Sequence, residues 1–306
     1  MHSARQQTKM NFHPPTEVDR TAILRILNLT SDKLEYAEAE LEEWLSEQAH
    51  LPHQIDKRVF TAFALFSGKG IEECKKRMDA YFTMRAVFPA LFNDRDPTSP
   101  IIKESGECVA TGMCNGYTPE FSRLYVAKLI KTEPKHFDCN ALLRRLLFIL
   151  DLTLVLDRRT DICLIADCSG LSVKHFLKVS ISQARDFMLC VQTVYPIRIR
   201  KIIFLNVKPY CKTLLENMIL PLLRKKIASR TQIFSDNIDN LEKVVPLHLL
   251  PSDMGGTGPG SKEVSDFWMN QLEDNVEWFL TQGSLQANES QRNGTSTLKA
   301  PGCNVM

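Results

Sequence analysis

The chain has 306 residues, 44% of them apolar and 24% charged, and 38 Lys and Arg against 36 Asp and Glu leave a net charge of +2. These are globular averages, and they exclude a disordered, collagen-like or coiled-coil chain. A net charge so near zero also argues against a surface coated with positive charge for nucleic acid, while leaving room for a local basic patch.

Residues 1–15 are polar and end in Pro14-Pro15, which reads as a flexible arm. Met1 to Thr16 lack the apolar run, about 7–15 residues long, of a secretory signal. From about Glu17 to Phe92 the pattern is helical, and an N-terminal all-helical domain is placed at 16–93. Ser31 to Glu47 carry seven acidic residues against Lys33, a local −6, with Leu34, Leu41, Trp44 and Leu45 as an apolar stripe. A second helix is predicted near Ile55–Phe66, ended by Ser67-Gly68. A third covers Ile71–Val87, with Cys74, Met78, Tyr81 and Phe82 on one face and Pro89 as its stop. Asn93 to Pro100 is the best domain boundary in the chain.

A second domain is placed at 101–280, where short apolar runs alternate with helical patterns. Predicted strands are Val109–Cys114, Ile162–Ala166, Ile202–Val207 and Thr231–Phe234. Predicted helices are Pro119–Lys131, Cys139–Leu156, Ser172–Val194, Thr213–Leu223, Asn237–Leu247 and Val264–Leu280. Such alternation means an α/β fold: a mixed, mostly parallel sheet with crossover helices. Residues 281–306, rich in Gly, Ser, Asn and Thr, read as a disordered tail.

No phosphate-binding loop, dinucleotide fingerprint, His-Glu-x-x-His or Gly-x-Ser-x-Gly is present. The histidines are dispersed, and no metal or cofactor is expected. The nine cysteines include no Cys-x-x-Cys pair and read as reduced thiols of a cytoplasmic protein. Asp167 follows a predicted strand, where capping the next turn outweighs a catalytic role. The chain is read as a non-enzyme and a monomer.

Two features stand out instead. Cys139–Leu156 is apolar nearly all round, so it is either buried on most sides or lines an apolar cavity. Candidate cavity-lining residues here and on neighbouring segments are Phe148, Leu152, Ile165, Phe187, Val191 and Phe204. Tyr195 to Arg230 carry nine basic residues against Glu216 alone, a local +8. Between its clusters lies an apolar helix. That helix is either a core element with a solvated basic end or a segment that docks reversibly on anionic lipid.

Four motifs occur in order. They are Tyr81-Phe82-Thr83-Met84-Arg85, the strand ending in Asp167 with Gly170, Tyr195-Pro196-Ile197-Arg198-Ile199-Arg200, and Leu250-Pro251-Ser252-Asp253-Met254-Gly255-Gly256. Over about residues 25–280 the sequence resembles the CRAL-TRIO lipid-binding family, in particular its insect members similar to α-tocopherol transfer protein and retinaldehyde-binding protein. The resemblance implies an apolar cavity that holds one small hydrophobic lipid, such as a tocopherol, retinoid or carotenoid. It implies a gate over that cavity, here about Pro209–Leu223, with Leu214, Leu215, Met218 and Ile219 facing cavity or bilayer. It further implies transfer of the lipid between membranes, with reversible docking on an anionic surface. A phosphoinositide such as phosphatidylinositol bisphosphate would meet Arg198, Arg200, Lys226 and Arg230. The alternative is a lipid-sensing regulatory or scaffold module that does not transfer. The family's usual Phe-Leu-Arg is here Ala64-Leu65-Phe66, with Lys69 nearby. Finally, Cys303-Asn304-Val305-Met306 has the Cys-a-a-X form of a prenylation site, although Asn304 is not aliphatic.

Overall fold

Thr16 opens the first helix through a reciprocal cap: its hydroxyl accepts from the Asp19 amide, and Asp19 accepts from the Thr16 amide at 2.9 Å. The structure is a computed structural model that describes residue 10 and residues 12–157, 161–235 and 238–295, the side chains of 238–240 excepted. Six helices come first: α1 (Glu17–Leu27), α2 (Ser31–Ser46), α3 (Lys57–Ala64), α4 (Ile71–Val87), α5 (Pro89–Phe92) and α6 (Pro100–Cys108). α2 buries Ala37, Leu41 and Leu45 and keeps most of its acidic residues exposed. α4 is different: every residue from Arg77 to Arg85 is buried, because other elements surround it.

Then follow β1 (Val109–Met113), β2 (Arg123–Leu129), α7 (Cys139–Leu156), β3 (Asp161–Asp167), α8 (Val173–Phe176) and α9 (Ile181–Leu189). β4 (Arg198–Leu205), α10 (Pro209–Leu214), α11 (Lys225–Ala228), β5 (Thr231–Ile233), α12 (Ser261–Asp274) and α13 (Val276–Thr281) complete the strands and α-helices of the described residues. The five strands form one sheet in the order β1-β2-β3-β4-β5. β1 pairs antiparallel with β2, and the other three pairings are parallel. The mostly parallel α/β sheet behind a helical N-terminal region is thus as expected.

Close packing of α12 on β1 depends on one glycine. A Cβ on Gly112 would stand 2.2 Å from Trp268 Cδ1, so only glycine lets the indole lie there. The Trp268 N–H then donates to the Met113 carbonyl at 2.8 Å.

Several expectations need correction. Pro119–Lys131 is not a helix; its centre is β2. Flanked by β1 and β3 and buried on both faces, β2 shows no polar alternation to read. Ser172–Val194 breaks at Leu177–Ser180 into α8 and α9, and its last turn, Cys190–Val194, widens to π geometry. Asn237–Leu247 yields only a 3₁₀ segment, Ile238–Lys243.

The flexible arm is fixed where it is described. Met10 and Phe12 are buried, Phe12 lies edge-on to Trp268 at 5.0 Å, and Arg123 donates to the His13 carbonyl at 2.7 Å. The disordered tail is likewise corrected for 281–295. The Asn288 amide donates to the His50 carbonyl at 2.8 Å, and Arg292 pairs with Asp79 at 2.7 Å. Composition misses both segments because a few anchoring side chains hold otherwise polar chain.

Candidate functional site

After β4 the chain turns at Asn206, whose φ of 54° is left-handed, and Pro209 begins α10. The helix does not keep its pitch. It widens to π geometry over Leu215–Ile219 and tightens to 3₁₀ over Leu220–Leu222. Pro221 lacks the N–H that a regular helix would bond back four residues. Cys211 and Leu215 are buried beneath this segment, and Leu214, Met218 and Ile219 are half-buried.

Under it lies an apolar cavity of about 260 Å³. Leu129, Leu164, Ala166 and Phe204 form its floor on one face of the sheet. Phe176 and Met188 wall it, and Leu215 and Ile219 cover it. Leu214 and Met218 pack in the apolar cluster alongside.

Of the six candidate lining residues, Phe204 lies at this cavity and five do not. Ile165 points to the other face of the sheet, because neighbours on a strand alternate and Leu164 and Ala166 hold the cavity side. Phe148 and Leu152 are wholly buried in the main core behind the sheet, and Phe187 belongs to that core too. Val191 lies at a different cavity. The apolar helix α7 is therefore mostly core, and it reaches the cavity only through Leu142 near its N-terminus.

That second cavity, about 390 Å³, is strongly basic. Arg198 and Arg200 reach it from β4; Arg224, Lys226 and Arg230 reach it from α11 and its flanks. Lys69 and Arg77 come from the helical region. Phe66 supports three of them: its ring centroid lies 4.7 Å from the Arg198 guanidinium carbon, 5.0 Å from that of Arg77 and 5.2 Å from Lys69 Nζ. Phe66 occupies the place where the family resemblance leads one to expect an arginine.

Few acids answer this charge. Glu73 pairs with Arg77 at 2.7 Å, and Asp161 pairs with Arg200 at 2.5 Å. Arg198 Nε is buried without a partner. Burial, then the guanidiniums of Arg77 and Arg198, push the Lys69 ammonium down. Burial, with Arg200 and Arg77 nearby, does the same to Arg198 despite Asp161. Cations so crowded are relieved by a multivalent anion, and planar guanidiniums suit phosphate oxygens. The four predicted basic residues do converge here. Arg77 was invisible because the fold brings it from more than a hundred residues away.

The two cavities meet along one segment. Gln192, in the π turn, lines the basic cavity. Its amide donates to the Leu222 carbonyl at 3.0 Å and accepts from the Arg224 amide at 2.8 Å. It thereby ties the end of the cavity cover to the start of the basic stretch. Beside the cover, Leu177 is 79% exposed and Val173 46%, two apolar side chains close together at the surface.

Asp167 is structural. It accepts from the Ser169 amide and the Asn206 side chain, each at 2.9 Å. Asp253 caps α12 through the Ser261 amide at 2.7 Å and pairs with Lys128 at 3.2 Å. Among the described residues no three His, Cys, Asp or Glu side chains converge to hold a metal ion. None of the described helices is long and apolar enough to cross a membrane. Cys303 lies outside the described residues.

Comparison with known proteins places two family models on the chain. Residues 30–102 match a Pinta-like, UBA domain. Residues 110–256 match a CRAL/TRIO domain. A solved structure described as "Crystal structure of Sfh5" is similar at 10% identity and a TM-score of 0.43, over 85% of this chain and 100% of that one. Residues 110–256, which build most of the parallel sheet, thus match the CRAL/TRIO domain, the lipid-binding domain that the motifs resemble.

Proposed function

We propose that the protein carries one small hydrophobic lipid, of tocopherol, retinoid or carotenoid type, in the apolar cavity and transfers it between membranes. One observation carries this reading: a single segment, residues 209–230, covers the apolar cavity with Leu215 and Ile219 and supplies Arg224, Lys226 and Arg230 to the basic one. A headgroup bound in the basic cavity, such as a phosphoinositide's, therefore lies next to the cover of the lipid cavity.

The mechanism has three steps. Basic residues draw the protein to an anionic leaflet, at about 1 kcal/mol for each Lys or Arg near the surface. Exposed Leu177 and Val173, beside the cover, enter the interface. The cover then turns Leu215 and Ile219 from cavity to bilayer. That exchange costs little, since the face stays out of water in both states. The irregular backbone of 215–222 suits movement, because its hydrogen bonds are already imperfect.

Native mass spectrometry of protein from its own cells, with lipid extraction, tests the cargo. A stoichiometric apolar lipid supports the reading, and an empty protein contradicts it. Vesicle-to-vesicle transfer, measured with and without phosphatidylinositol bisphosphate, tests the rest. Lipid held but never transferred supports a sensor instead.

A further inference from the structure

His175 is 1% exposed and lines the apolar cavity. Its Nδ1 lies 3.0 Å from the Ser172 amide nitrogen and 2.9 Å from the Ser172 hydroxyl. A backbone amide can only donate, so Nδ1 is the acceptor and the ring proton sits on Nε2. Burial also pushes the imidazole below its usual range, which favours the neutral form. Nε2 is buried and has no partner. The ring cannot turn outward: the Ser172 contacts hold one edge, and Phe137 packs edge-on at 5.5 Å.

The other polar groups at this cavity are engaged. Lys128 pairs with Asp167 and Asp253, and Asp167 accepts from Ser169 and Asn206. Among the described lining residues, His175 Nε2 is the buried side-chain nitrogen or oxygen left without a partner. A buried donor without a partner is unfavourable and is normally satisfied by something.

We propose that His175 is the polar recognition point of the apolar cavity, donating from Nε2 to an acceptor oxygen of the bound lipid. The assignment rests on the cavity being the lipid site. It narrows the cargo to lipids bearing a carbonyl, ester, ether or hydroxyl oxygen and disfavours pure hydrocarbons of the same shape. His175 acts as a specificity residue and takes no part in bond chemistry.

The test uses two probes of equal chain length, 2-dodecanone and dodecane, competing with fluorescent N-phenyl-1-naphthylamine on the full chain. Comparing the change in each probe's affinity between proteins cancels their different solubilities in water. His175→Phe keeps an aromatic ring and removes the donor. It should weaken 2-dodecanone on the order of tenfold and leave dodecane unchanged. Unchanged dodecane binding also shows that the variant folds. His175→Gln should restore most of the ketone affinity. Its amide oxygen can accept from Ser172, as glutamine does at this helix position, while its NH₂ donates. Equal effects on both probes, or no effect on either, overturn the assignment of His175 alone. If neither probe binds the unmodified protein, the lipid-cavity reading itself fails.

Discussion

The Tyr195 hydroxyl donates to the Asp151 carboxylate at 2.7 Å, deep in the core and 44 residues apart in sequence. The same carboxylate accepts from the Tyr81 hydroxyl at 2.8 Å, from Arg85 at 3.1 Å and from Arg95. One buried acid on α7 thus joins α4, the 93–100 linker and the residues that lead into β4. The segment that read as a domain boundary is pinned by its own arginine.

Asp151→Asn should destabilise the protein severely. It leaves Arg85 and Arg95 buried without a counter-charge, a loss of about 3–5 kcal/mol. Tyr195→Phe removes one hydrogen bond and should cost about 1 kcal/mol. Urea denaturation of the two variants checks the order. A smaller loss for Asp151→Asn than for Tyr195→Phe contradicts it.

Lys226→Glu with Arg230→Glu should abolish most binding to anionic vesicles. Simple loss of two cations near a membrane removes about 2 kcal/mol, and reversal removes more. Binding of the unmodified protein should also weaken as salt rises from low to moderate. Co-sedimentation with phosphatidylserine vesicles reads both. Salt-independent binding argues against electrostatic docking.

Phe66→Leu should separate packing from cation support. The ring is fully buried. Leucine keeps an apolar side chain but loses the face beneath Arg198, Arg77 and Lys69, worth about 0.5–2 kcal/mol for each such contact. Affinity for inositol trisphosphate, read by calorimetry, should fall at least a few-fold. An unchanged affinity shows that the ring serves the core only.

Arg292→Ala tests the C-terminal strap. Arg292 holds Asp79 through two nitrogens, at 2.7 and 2.9 Å, and also meets Thr83. Burial alone would raise the Asp79 carboxyl, but Arg292, His50 and Thr83 outweigh it and hold it below its ordinary 3.8. The stabilisation is therefore full above about pH 4 and is lost as acid carries the pH through the lower folded value. The variant should lose about 2 kcal/mol at neutral pH and show a flatter acid limb. Thermal melts between pH 2 and 7 decide this.

Periodicity carried most of the helices, as in α2, which buries Ala37, Leu41 and Leu45 at helical spacing. It failed at β2, where burial on both faces removes the alternation that marks a strand. It failed again for the cavity. Phe148, Leu152 and Ile165 are as apolar as a lining residue should be, yet they pack behind the sheet. Apolar character reports exclusion from water and does not say whether the excluded face meets protein or empty space.

Charge behaves the same way. By itself the sequence determined that this near-neutral chain concentrates +8 within Tyr195–Arg230, since composition and order are enough to locate a charge run. It also determined the α/β class through the alternation of short apolar runs with helices. Only the tertiary structure decided that Lys69, Arg77 and Phe66 close the basic cavity, and that His175 faces the apolar one. Those residues meet because packing of the helical region and the parallel crossovers brings distant segments together. Proximity of that kind leaves no periodic trace in the chain.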